Sequence, residues 1–92
     1  DTGKVVLVIS EKNQQIAQQV MDRLERGATF LQAEGAWSGQ EKKVLLCVVR
    51  AVQCYRVEEI VRAADPDAFL VVMEANQIAG EGFRPITSDK VT

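Results

Sequence analysis

The chain has 92 residues, 47% of them hydrophobic and 26% charged, which gives room for one small domain. Such a chain buries roughly 60–65% of the surface its unfolded form exposes, enough for one modest core. A net charge of −2, with Lys42-Lys43 as the longest basic run, argues against a nucleic-acid partner, and the longest apolar run, Val44 to Val49, is far too short to span a bilayer.

The chain opens at Asp1 without an initiator Met or a signal peptide, so residues 1–4 are expected to be a linker remnant of a longer protein. The first strand is expected at Val5-Val6-Leu7-Val8-Ile9. Ser10 then stands where a helix N-cap belongs, with Glu11 in the first turn. Ile16, Val20 and Leu24, with Ala17 and Met21 alongside, form the apolar stripe of a first helix. Gly27 is expected to stop that helix in a left-handed conformation, and Asp22 and Arg26 are spaced to pair on its exposed side.

A second strand is expected from about Ala28 to Trp37, with Gly35 as a bulge. Ser38-Gly39 supplies hairpin turn chemistry, and the third strand, Val44 to Val49, follows. Cys54, Val57, Ile60, Val61 and Ala64 mark a second helix, supported by Glu58 and Arg62 four residues apart. Asp65-Pro66-Asp67 stops it, and Ala68 to Glu74 forms the last strand. Residues 76–83 are irregular. The domain is expected to span residues 5–83, with 84–92 a polar, frayed tail.

This order, β-α-β-β-α-β, predicts an α+β ferredoxin-like plait, an antiparallel sheet with two helices on one face and the first and third strands at its centre. The first, third and fourth strands lack the apolar–polar alternation of a strand with one wet face, so burial on both faces is expected. Two helices cover one face. The other needs a partner.

Strand directions predict two clusters. Arg26-Gly27-Ala28-Thr29, Arg50 and Gly80-Glu81-Gly82-Phe83 gather at one end; Trp37-Ser38-Gly39, Ser10 and Asp65-Pro66-Asp67 gather at the other. Glycines let a backbone approach a ligand closely, although Gly27 also suits a helix stop and Gly80 and Gly82 suit turns. Trp37 is either a packing anchor or a stacking platform. Arg26 and Arg50 are solvated unless something recruits them.

Catalysis finds little support. The chain has no histidine, no nucleophile-elbow pattern and no acidic cluster with metal-ligand spacing. An enzyme would need Glu81 or Asp65 as its acid, so none is expected, nor a metal or a cofactor. Cys47 and Cys54 lack a CxxC pattern and are expected to be buried free thiols in a reducing compartment.

Five pieces of the chain resemble the C-terminal soluble domain of the YitT-type family of bacterial multi-pass membrane proteins. They are Ile9-Ser10, Arg26-Gly27-Ala28-Thr29, Gly35-Ala36-Trp37-Ser38-Gly39, Asp65-Pro66-Asp67-Ala68-Phe69 and Gly80-Glu81-Gly82-Phe83, in order from about Val5 to Phe83. Trp37, Ser38 and Gln77 depart from the family pattern, which has tyrosine, threonine and an acidic residue at these places. Gln77 therefore removes a carboxylate.

The resemblance implies membrane helices upstream, a position on the cytoplasmic face of the bacterial membrane, and a fold similar to the PII signalling proteins, which trimerise through their sheets. It further implies a small anionic ligand, often a nucleotide, in clefts between subunits. On this chain those clefts would be built from Gly35, Trp37, Ser38, Gly39, Asp65, Asp67, Gly80, Glu81, Gly82 and Phe83, with Arg26, Gly27, Thr29 and Arg50 as secondary candidates. The short hairpin argues against partner docking through a long mobile loop. Two functions follow as expectations: a non-catalytic ligand-sensing regulatory domain, or a purely structural oligomerisation or docking module without a ligand.

Overall fold

Four strands and two helices follow one another in the predicted order in the computed structural model, which describes residues 3–80, 82 and 83. They are β1 (Gly3–Ile9), α1 (Asn13–Leu24), β2 (Thr29–Glu34), β3 (Glu41–Arg50), a 3₁₀ turn (Ala51–Gln53), α2 (Cys54–Ala64) and β4 (Phe69–Ala75). The sheet is antiparallel with the order β2-β3-β1-β4, so β1 and β3 are central, as the topology requires. Gly3 and Lys4 are not linker: both pair in β1, and Lys4 bridges Glu74 on β4 at 3.0 Å. The predicted tail lies outside the described residues.

Register sorts the side chains. Residues directly opposite one another share a face. Val6 and Val8 on β1 and Leu45, Cys47 and Val49 on β3 are buried beneath the helices. They meet Ile16, Ala17, Val20 and Leu24 of α1 and Val57, Ile60 and Val61 of α2 in one core. Each fully buried aliphatic side chain there stabilises the fold by about 1.5–3 kcal/mol. Met21 is not among them; it is 38% exposed at the edge of the stripe.

The other face is apolar and uncovered. Val48, Val5 and Met73 form one row across β3, β1 and β4. Leu46, Leu7 and Val71 form the next, and Val44, Ile9 and Phe69 the third, extended by Leu31 of β2. Leu31, Met73 and Phe69 are exposed by 42%, 43% and 62%. Burial on both faces therefore fails within the single chain. It fails most at β4, an edge strand where Val72 on the helix side is also exposed, because the helices sit over the central pair.

Several local expectations are corrected. The N-cap of α1 is Lys12, not Ser10, and no acidic residue lies in its first turn. The Ser10 hydroxyl instead donates to Asp65 at 2.6 Å and accepts from the Lys12 amide. Gly35 is no bulge. β2 ends at Glu34, and Gly35 closes the hairpin loop, its N–H donating to the Gln40 carbonyl and its own carbonyl accepting from Gly39. Asp22 accepts from Gln18 rather than pairing with Arg26.

The helix stop also moves. Glu25, not Gly27, takes the left-handed conformation, with φ 56°. A side chain with a Cβ is strained there, whereas glycine is not. Glu25→Gly is expected to stabilise the fold by about 0.5–1 kcal/mol, read as a higher urea midpoint at unchanged slope. A lower midpoint would show that the Glu25 side chain makes contacts outweighing the strain. The end of α2 follows expectation: Asp65 caps it, and its carboxylate accepts from the Asp67 amide at 2.9 Å. Glu58 and Arg62 pair at 3.9 Å.

Candidate functional sites at the two ends of the sheet

The predicted site residues divide between opposite ends, which we call lower (where β1 begins) and upper (where it ends). At the lower end a turn closes from the Gly80 carbonyl to the Phe83 N–H at 2.9 Å. Gly80 and Gly82 have φ of 129° and 85°, which other residues rarely adopt. The turn lays Phe83 beside two guanidinium groups, Arg26 at 4.4 Å and Arg50 at 5.5 Å from its ring centre. Arg50 also donates to the Gly82 carbonyl at 3.1 Å, and Arg26 to the Val48 carbonyl at 3.3 Å.

A cation over an aromatic face contributes about 0.5–1 kcal/mol at an exposed site. Two together hold the segment against the sheet end. Gly3 takes part by having no side chain: a methyl there would collide with Ile78 and touch Phe83. Arg26 is thus recruited into a cluster rather than left in solvent. Thr29 lies higher, opposite Leu46, and among the described residues nothing lies within 4 Å of where a side chain on Gly27 would begin. Glu81 lies outside the described residues.

The upper end holds an open groove of about 780 Å³. Ser10 and Asn13, the base of the hairpin from Gln40 to Lys43, and Asp65 and Asp67 line it. Lys12, Lys42 and Lys43 face Glu11, Glu41, Asp65 and Asp67 there, so its charge is mixed. The hairpin tip projects past this groove, since Trp37, Ser38, Gly35 and Gly39 do not line it. Trp37 is 99% exposed. It packs against nothing among the described residues, so it is not a packing anchor there.

Asn13 escaped the sequence reading. It is buried, and its Nδ2 donates to the carbonyls of Val8 and Lys43, both at 2.9 Å, tying α1 to the central strands. Its Oδ1 is buried without a donor among the described residues. The signal was present in the spacing, because Asn13 continues the stripe of Ile16, Ala17, Val20 and Leu24 backwards by one turn. It was hidden among polar neighbours.

The burial expected of the cysteines is found. Both are free and buried. Burial, and secondarily the charge of Cys54, pushes the Cys47 thiol up to about 11. Burial and then Glu58 raise Cys54. A raised thiol pKa leaves less of the reactive thiolate at neutral pH. Among the described residues no group of three His, Cys, Asp or Glu is placed to hold a metal.

Residues 26–80 match the family described as "Uncharacterized protein conserved in bacteria (DUF2179)". The UPF0750 membrane protein YxkD of Bacillus subtilis is 36% identical over 87 residues, covering 95% of this chain and 31% of its own. The UPF0750 membrane protein YitT of the same organism is 27% identical over 74 residues, covering 80% of this chain and 26% of its own. The chain therefore spans less than a third of these relatives.

A DUF2179 protein of Eubacterium ventriosum is 36% identical with a TM-score of 0.69, over 78% of this chain and 99% of that one. A PII-like signalling protein candidate of Thermus thermophilus superposes with a TM-score of 0.54 at 20% identity, over 80% and 87% of the two chains. That likeness shows the fold: a PII-like plait. Among the described residues no helix is long and apolar enough to cross a membrane.

Proposed function

This chain belongs to the DUF2179 family of bacterial proteins, and from that premise we propose that it is a non-catalytic regulatory domain of a membrane protein. On this reading it lies on the cytoplasmic side, trimerises through its open sheet face, and holds a small anionic ligand in the clefts between subunits. Nucleotides are the first class to screen. The name of the family describes no activity, while the relatives YxkD and YitT are named as membrane proteins.

The observation that carries the proposal is the uncovered sheet face, three apolar rows running across β3, β1 and β4. Contiguous exposed apolar surface beyond a few hundred Å² marks an interaction site on soluble domains. An isologous or cyclic contact between copies is the simplest cover for a flat apolar sheet. The ligand reading is supported by the guanidinium pair of Arg26 and Arg50 beside a glycine turn at the lower end. The hairpin and Asp65 stand at the other end, so one copy would bring its lower end to the upper end of the next.

A second reading, a structural oligomerisation module without a ligand, has its own observation. The Gly80–Phe83 turn accounts for both glycines without any ligand. Melting in the presence of nucleotides separates the two, since a ligand binding only the folded state raises the melting temperature with concentration. The sensing domain is expected to show that rise with at least one nucleotide. Trp37→Ala and Gly82→Val should abolish it, the latter by pressing a side chain on the Arg26 guanidinium. A trimer whose melting no nucleotide moves would establish the structural reading instead.

A further inference from the structure

We propose that the upper groove takes the head of a primary-ammonium ligand, a diamine or polyamine, and that Asn13 Oδ1 accepts a hydrogen bond from it. The site is built by one chain, so it depends neither on assembly nor on an anionic ligand. Asn13 is only 3% exposed and yet lines the groove. Its amide cannot turn over. Nδ2 donates to the carbonyls of Val8 and Lys43, and an oxygen in that place would face two acceptors. Oδ1 diverges from Nδ2 at the same carbon, which leaves the groove as the side from which a donor can come. Among the described residues it is the one buried side-chain oxygen or nitrogen without a partner. Such an acceptor is costly to leave unpaired, and a donor from outside the chain relieves it.

The charge around the groove selects the donor. Carboxylates stand on three sides: Glu11 before α1, Glu41 at the start of β3, and Asp65 and Asp67 in the turn after α2. Strand alternation puts Glu41 on the face of Leu45, the helix side, and Glu34 lies directly opposite it on β2. Like charges set opposite one another destabilise a strand pair, so a cation is favoured beside them.

Three lysines also line the groove, but two carry their charge elsewhere. The Lys43 ammonium lies over the Phe30 ring, 5.4 Å from its centre. The Lys42 Cε stands along the hairpin, 3.9 Å from where a side chain on Gly35 would begin. Lys12 is exposed, with Glu11 beside it. The groove therefore favours a cation over an anion.

A metal ion fits less well, because among the described residues no three His, Cys, Asp or Glu are placed to hold one. An ammonium needs only acceptors in several directions, without a fixed coordination shell. Its head is about the size of a water molecule. Glu11, Lys12 and Gln14, which border Asn13 and line the same groove, are exposed and change rotamer freely to admit it. With one head on Asn13, a second ammonium on the same molecule can meet the carboxylates across the open groove.

The test labels the two asparagines of the 92-residue chain, Asn13 and Asn76, with nitrogen-15. Hexane-1,6-diamine is compared at matched ionic strength with hexamethonium, the same dication with every N–H replaced by N-methyl. The diamine is expected to move the Asn13 side-chain amide signal saturably. Asn76 follows β4 at the far end of the sheet, and its signal should stay in place. Hexamethonium should move neither, and by calorimetry should bind at least about tenfold more weakly. Glu41→Gln and Asp67→Asn, both at exposed positions, should each weaken diamine binding about two- to fivefold, with a cooperative melt confirming the fold.

An equal response to the two dications would reduce the effect to general charge attraction. An Asn13 signal that the diamine leaves unmoved would mean that water alone serves Oδ1. Either result overturns the proposal. Mass and melting with nucleotides are separate measurements, so failure of this site is distinguishable from failure of the regulatory reading.

Discussion

If the chain assembles as the proposed trimer, Leu46→Glu is expected to leave a monomer that still folds. Leu46 stands in the middle row of the open face, with Leu7 opposite on one side and Thr29 on the other. It is half-buried in the single chain, so a longer carboxylate there can reach water. In a sheet-to-sheet trimer the same carboxylate is removed from water without a partner. Breaking the match between a buried charge and its surroundings costs about 3–5 kcal/mol. At 1.4 kcal/mol for each tenfold, that raises the dissociation constant by at least about 100-fold.

Light scattering on a sizing column at several concentrations reads the effect directly. The parent chain should keep the mass of three copies down to low concentration, and Leu46→Glu should show one copy with a retained cooperative melt. Trp37→Ala, at the far tip of the hairpin, should leave the mass unchanged. If Leu46→Glu keeps the mass of the parent, the open face is not the interface. If the parent itself is a monomer, the proposed clefts do not exist.

Asn13→Ala is expected to be the most damaging substitution of a polar residue in the chain. One side-chain amide satisfies the carbonyls of Val8 and Lys43 where β1 and β3 meet the start of α1. Truncation removes the donor from both carbonyls, the bond to Val8 being buried and that to Lys43 part-buried, and the loss of such a bond costs about 1–3 kcal/mol. A loss of about 2–4 kcal/mol lowers the melting temperature by roughly 10–25 °C in a domain of this size, a large share of a stability of about 5–15 kcal/mol.

Asn13→Asp separates hydrogen bonding from packing, because it keeps the shape. A carboxylate would set negative charge against two carbonyl oxygens, so its protonated form is favoured by burial. The deficit relative to the parent is therefore expected to be largest at pH 8 and to shrink as the pH falls toward 5, where the acid can donate again. A deficit independent of pH would mean that the two hydrogen bonds are not what holds α1 to the sheet.

Much of this molecule is legible from local pattern. Unbroken apolar runs gave β1, β3 and β4, and the spacing of Val57, Ile60 and Val61 gave α2, because side-chain period and backbone geometry are linked. Strand directions then placed Arg26, Arg50, Gly82 and Phe83 at one end, a consequence of antiparallel pairing alone. The family pattern, which runs through the turns and glycine segments, pointed to the family and the PII-like fold.

Other features depend on contacts between residues distant in sequence. Glu25 rather than Gly27 ends α1, because the helix must stop where Leu24 is still in the core and the chain must turn toward β2. Ser10 leaves the cap to bond Asp65, 55 residues away. Arg26 leaves its helix to lie on Phe83. Asn13 looks like one more exposed polar residue until two carbonyls from different strands converge on it.

What the sequence by itself determined was which segments are strands and helices, the order in which they pair, and that two helices leave one sheet face over. These follow from periodicity and chain connectivity, which are local. What only the tertiary structure decided was where each polar group finds its partner. Asn13 finds the carbonyls of Val8 and Lys43, and Ser10 finds Asp65. A buried hydrogen bond or a surface platform is made by whatever the fold brings within reach, and no spacing along one chain segment records that.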